Sequence, residues 1–172
     1  PARTVAQALL GQRLVRLIDG RRVAGLIVET EAYCDSVEPD LACHGARNGG
    51  RPTTRSRAMF GPPGHVYVYF NYGMHWLFNI VTGTAGTANA VLIRALEPLE
   101  GEELIAERRG RTRAAWTNGP AKLAQALAID DALYGIDLCA ADSPIWLEVG
   151  VPPAAIASGP RVGLGKTPEP WK

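Results

Sequence analysis

Between Leu41 and Leu96 the chain has no Asp or Glu. Arg47, Arg51, Arg55, Arg57 and Arg94 fall in this stretch, with all three histidines and three of the five tyrosines: Tyr67, Tyr69 and Tyr72. The formal net charge of +1 therefore hides an asymmetry, because the other thirteen cations face all seventeen acids outside it. Guanidinium forks and ring faces on an acid-free surface suit a polyanion with stackable bases. The same composition also fits a solvated face whose arginines only keep the protein soluble. Lysine is scarce: only Lys122, Lys166 and Lys172 occur. None lies near the candidate pocket motif, which argues against Schiff-base chemistry. The three cysteines are an odd number in a chain too long to need staples, so reduced thiols are expected. Cys34, Cys43 and His44 lack a paired C-x-x-C, and a core-thiol reading is preferred to a metal site. No apolar run in Pro1–Ile18 approaches the roughly 20 residues of a membrane span, and no signal-peptide layout is present. A soluble, cytoplasmic protein is expected, and the opening Pro1 reads as a trimmed start.

The 172 residues fit one domain, 1–172, that buries about 70% of its unfolded surface. Thr4 is expected to cap a helix through Leu10 that stops at Gly11. Leu14–Ile18 reads as a strand turning at Asp19-Gly20, and Arg22–Tyr33 as the next. The second strand places Glu29, Glu31 and Tyr33 on one face if no bulge intervenes. Cys34–Arg57 is aperiodic, a long functional loop. His65–Phe70 and His75–Val81 alternate around Asn71-Tyr72-Gly73, a hairpin. A three-residue loop there, with Gly73 or its neighbour left-handed, puts Tyr69 and Asn79 on the same face. Ala90–Ala95 is a strand, Glu100–Arg109 a helix with acids first and arginines last, and Gly119-Pro120 opens a helix to about Ala128. Ile145–Val149 and Arg161–Leu164 are short late strands. The class is α+β: a curved, mostly antiparallel sheet with surrounding helices and a protruding β-hairpin.

Several stretches, in order, carry a resemblance: Val28–Tyr33 (VETEAY), Arg51–Thr53 through Arg57, Met59-Phe60, Gly64–Asn79, Val91–Pro98, Gly119–Leu123 and Arg161–Gly163. Together they resemble the alkyladenine (3-methyladenine) DNA glycosylases, monofunctional enzymes that excise alkylated purines. The resemblance spans nearly the whole chain. It implies a cofactor-independent, metal-free, bacterial-type enzyme that approaches damaged double-stranded DNA from the minor groove as a monomer. It also implies roles: Glu31 as the catalytic carboxylate, with Arg94 and the backbone carbonyl of Val162 orienting water. Tyr33, His44 and Tyr69 would stack the extruded base, and Asn79 would limit bulk at the purine two-position. Tyr72 would be the intercalating wedge, with Met74 and His75 beside it, and Arg51 and Thr53 would meet phosphate.

The chemistry is consistent with those roles. A base must leave the stack before its bond to sugar is cut, at a few kcal/mol. A rigid aromatic at a hairpin tip can fill the gap. An aromatic box favours a cationic purine. Such a purine leaves readily, so a carboxylate that activates water and steadies an oxocarbenium-like sugar can suffice. An arginine beside Glu31 favours its charged form. Neutral lesions such as hypoxanthine and ethenoadenine need protonation of the leaving base, and no dedicated acid is visible. Against the family pattern, the His44–Arg51 loop is longer by Gly45–Asn48, and the Arg109–Asn118 linker is short. Two rivals stand beside this reading. One is a nucleic-acid-binding module of the same fold without catalysis. The other is a carbohydrate hydrolase using Glu29 and Glu31, which lie roughly 6.6 Å apart if they share a strand face; Glu29 is preferred as structural support.

Overall fold

The computed structural model describes residues 2–35 and 40–164. Three helices, α1 (Ala2–Leu9), α2 (Glu102–Arg109) and α3 (Pro120–Ala126), accompany six strands. These are β1 (Arg13–Ile18), β2 (Arg21–Cys34), β3 (Val66–Asn71), β4 (His75–Val81), β5 (Asn89–Glu100) and β6 (Ile145–Glu148). All pairings are antiparallel, in the order β3-β4-β5-β2-β1-β6, which is the expected α+β sheet.

Local chemistry accounts for most of the turns. Asp19 and Gly20 both take positive φ and close the β1–β2 hairpin between the paired Ile18 and Arg21, as a two-residue loop of that composition should. In the β3–β4 hairpin Asn71 pairs with His75, leaving Tyr72, Gly73 and Met74 as the loop, with Tyr72 at φ 51° and Gly73 at φ 66°. Tyr67 consequently faces Asn79 and Tyr69 faces Leu77, so these side chains share one face of the sheet. The other face buries Val66, Val68, Phe78, Ile80, Val91 and Ile93 against the helices. A smaller cluster, including Cys43, Met59, Tyr67 and Ala88, forms under the loop that follows β2.

Four expectations change. Helix α1 begins at Ala2, so Thr4 lies inside its first turn rather than at the cap; burial of Ala2, Ala6 and Leu9 along one stripe fixes the helix instead. Glu100 ends β5 rather than opening α2. The strand passes through Pro98, which lacks an N–H, because the ladder is irregular where Ala24 and Gly25 oppose Glu100 and Pro98. Arg161–Leu164 is not a strand: Val162-Gly163 is a turn, Gly163 has φ 79°, and the Val162 N–H is given to a side chain instead of a neighbouring strand. Finally, β2 and β5 do carry a bulge. Val28 and Arg94 are each skipped in the pairing that runs Ile27–Leu96, Glu29–Ala95, Thr30–Ile93.

Of the cysteines, Cys34 and Cys43 are buried core thiols, while Cys139 is exposed. Among its described residues the long loop after β2 holds only single 3-10 turns, at Arg47–Gly50 and Arg57–Phe60. It is pinned at Gly45, where an added Cβ would stand 1.9 Å from the Cβ of Ala88. Gly45→Ala should therefore push the loop off the start of β5 and cost about 1–3 kcal/mol, read as a lower urea midpoint with unchanged slope.

Candidate active site

The bulge decides where Arg94 points. An extra residue in a strand re-aims its side chain, and the Arg94 guanidinium, mostly buried, reaches two carboxylates of β2. Its Nε donates to Glu29 Oε1 at 2.9 Å, and its Nη1 lies 3.4 Å from Glu31 Oε1. Glu29 is half-exposed, whereas Glu31 is 6% exposed. A carboxylate this buried is tolerable only when paired and hydrogen-bonded. Glu31 meets both conditions: besides Arg94, the Tyr33 hydroxyl donates to Oε2 at 2.9 Å and the Val162 amide donates to Oε1 at 2.6 Å. Burial, then the charge of Glu31 and its hydrogen bond, push the Tyr33 phenol above its ordinary range, so it remains a donor.

Next to this carboxylate the sheet presents the expected rings. Tyr33, His44 and Tyr69 line a cavity with Ala42, Met59, Tyr67 and Asn79, of only about 20 Å³. That is room for roughly one water. His44 meets Tyr69 edge-on at 4.6 Å between centroids, and its Nδ1 is 2.7 Å from the Tyr67 hydroxyl. Asn79, 3% exposed, donates through Nδ2 to the Tyr67 carbonyl at 3.0 Å, which fixes its amide in the wall. Burial, reinforced by Arg55 and Arg47, lowers His44 from its ordinary 6.5 to about 4, so its ring is neutral at physiological pH. Burial likewise raises the phenols of Tyr67 and Tyr69. On its other side Glu31 lines a groove of about 920 Å³ between α1, β2 and the irregular segment 156–162. The Glu31–Tyr33 pair thus stands between an aromatic cavity and an open groove.

The remaining expected residues lie elsewhere. Tyr72 is 84% and Met74 66% exposed at the hairpin tip, with exposed His75 beside them. Arg51 is exposed on the long loop. Thr53 lies close by, its hydroxyl 3.0 Å from that of Ser56 in a local turn.

Three further groups had no reading among the site residues. Tyr67 shares the face of Tyr69 by simple alternation and could have been found that way. Arg55 sets its guanidinium 4.8 Å over the Tyr69 ring, a contact with no local sequence signal. The third is a buried ion pair: Arg161, 6% exposed, grips Asp40, 0% exposed, with Nη1–Oδ2 at 2.7 Å and Nη2–Oδ1 at 2.9 Å. Asp40 also accepts from the amides of Cys34 and Ala42, and Arg161 donates to the Ala32 carbonyl and covers the Tyr33 ring at 4.7 Å. One pair so fastens the end of β2, the root of the His44 loop and the segment bearing Val162. Among the described residues no group of His, Cys, Asp and Glu is placed to hold a metal ion, and no helix is long and apolar enough to cross a membrane.

Compared with known proteins, the sequence matches methylpurine-DNA glycosylase over residues 1–172. The chain belongs to the methylpurine-DNA glycosylase family. It is accordingly a hydrolase of N-glycosyl bonds serving the repair of alkylated purines. It is 48% identical to a provisionally named 3-methyladenine DNA glycosylase of Chlorobaculum parvum, a match covering 100% of this chain and 81% of that protein. A protein of the same provisional name from Methanocella arvoryzae is 44% identical, covering 100% of this chain and 86% of its own length. Another, from Burkholderia lata, is 46% identical over 99% and 81%.

Two outcomes follow from the geometry. Arg161→Ala leaves Asp40 buried without its cation and should destabilise the fold by about 3–5 kcal/mol, measured by urea unfolding. For His44, the unfolded chain takes up a proton below pH 6.5 that the folded site refuses until about 4. Its contribution is therefore intact above 6.5 and lost as pH falls towards 4, on the order of 3 kcal/mol. His44→Gln should lose less stability than the parent between pH 7 and pH 4.5 in matched urea titrations.

Proposed function

We propose that this glycosylase extrudes alkylated purines, 3-methyladenine and 7-methylguanine foremost, from duplex DNA, and hydrolyses the base–sugar bond with water activated by Glu31. The product is an abasic site in an intact strand. The observation that carries this reading is Glu31 itself: a buried carboxylate held by a guanidinium, an amide and a phenol, flanked by an aromatic cavity and a groove open to solvent.

Tyr72 enters the duplex from the minor groove, replacing the stacking lost when the purine swings out; its ring is presented on a tight hairpin, and Met74 and His75 flank it. Arg51 and Thr53 meet phosphate. The extruded base lies among Tyr33, His44 and Tyr69, whose faces favour a cationic ring, and Asn79 limits bulk at the purine two-position, which disfavours undamaged, uncharged guanine. Water reaches Glu31 by the groove, gives up a proton to the carboxylate and attacks the anomeric carbon as the purine departs with the bonding electrons. Arg94 pairs with Glu31, and Val162 steadies it through the amide and turns its carbonyl to the water. No cofactor or metal enters, and the enzyme works as a monomer inside the cell, where its DNA substrate is. Glu29 is committed to Arg94, which disfavours a paired-carboxylate sugar hydrolase.

A panel of duplex oligonucleotides, each bearing one defined lesion, tests the whole. Alkali-labile sites should appear at the methylated purines, and Glu31→Gln should lower single-turnover release by at least about 100-fold with DNA binding retained. Release near the parental rate in that variant would remove Glu31 from its role. DNA affinity without any release would identify a binding module instead. Tyr72→Ala should slow release while leaving stability unchanged, since its ring is exposed.

A further inference from the structure

The cavity that is to receive a purine is nearly filled by the protein's own groups. At about 20 Å³ the space among the rings admits one water, so a base that stacks there must displace whatever covers the ring faces. Tyr33, Tyr67, Tyr69 and Asn79 are built into β2, β3 and β4, whose ladders hold their backbones. His44 belongs to the loop but is tied to the Tyr67 hydroxyl. Arg55 does not line the cavity itself but reaches two of its rings, with its side chain engaged at Tyr67 as well as over Tyr69. Its backbone is anchored, since the Thr54 and Arg55 carbonyls accept from the Tyr134 hydroxyl, which in turn accepts from the Ala58 amide. Its side chain is exposed, and among the described residues no carboxylate pairs with it. The guanidinium rests instead on the Tyr69 face, 4.8 Å from the centroid.

We propose that Arg55 is a gate: a resident cation that occupies the Tyr69 ring face in the free protein and is drawn away by DNA phosphate, freeing that face for a positively charged purine. The inference rests on the aromatic-box reading above and adds a specificity-determining residue to it. A box that attracts cations must not be blocked by its own cation once substrate is bound, and a phosphate is the stronger partner for a guanidinium fork. The exchange couples backbone contact to pocket opening. Without DNA, a cationic purine meets a like charge at the ring it needs, whereas a neutral purine meets only bulk. The lowered proton affinity of His44, in which Arg55 takes part, fits a guanidinium close to the pocket.

The test uses a purine with no sugar to lose: a permanently cationic 7,9-dimethyladeninium, with neutral 9-methyladenine as its control, each titrated into intact protein and into Arg55→Ala by calorimetry. Arg55→Ala should bind the cation about 10-fold more tightly than the parent, with a clearly smaller gain for the neutral analogue, which loses the bulk of Arg55 but no like charge. Undamaged duplex added to the parent should narrow the difference. Equal shifts for both analogues, or an unchanged cation affinity, would overturn the gate. Base release from methylated DNA by the parent is measured alongside. If that release is absent, the aromatic-box reading itself fails; if it is present and the cation affinity does not move, only the gate fails.

Discussion

A bidentate ion pair sealed from water joins positions 121 residues apart, Asp40 and Arg161, and the geometry around Glu31 hangs on it. Burying two charges is costly, and their attraction repays it only with close geometry and with the remaining lone pairs and protons used. Here the amides of Cys34 and Ala42 and the Ala32 carbonyl take those places. What the pair contributes is therefore registry more than raw stability. It brings the Val162 amide to Glu31, backs the Tyr33 ring with a guanidinium and roots the loop that carries His44.

How much of this could be read from the chain depends on the range of each interaction. The hairpin was legible because its information is local: alternation on both sides of Asn71-Tyr72-Gly73 fixes which residues share a face once the loop has three residues, and Tyr69 and Asn79 follow. The class of fold and the neighbourhood of Glu31 and Tyr33 were legible for the same reason. The bulge at Val28 and Arg94 was not, since a bulge belongs to the pairing of two strands and leaves no mark on either alone. Arg161–Leu164 looked like a strand from its apolar residues, yet its amide goes to Glu31 and its arginine to Asp40, neither of which is near in sequence. Helix α2 was placed two residues early because its acidic start is continuous with the end of a strand that survives Pro98 only through a second irregularity in the ladder.

Charge is organised on the same principle of distance. The acid-free stretch supplies the exposed Arg47, Arg51, Arg55 and Arg57, and also Arg94, which turns inward. A residue count cannot separate the two kinds. The separation comes from which strand position is skipped in pairing and from where the few carboxylates of β2 stand.

The order of these parts along the chain has a temporal meaning. A nascent polypeptide displaying residues 2 to 148 already contains every described strand of the sheet, its helices and the exposed hairpin tip. The amide that holds Glu31 and the guanidinium that neutralises Asp40 come only afterwards, from positions 161 and 162. Asp40 and Glu31 are therefore made well before these partners, and the pairing of Asp40 has to wait for the segment that follows β6.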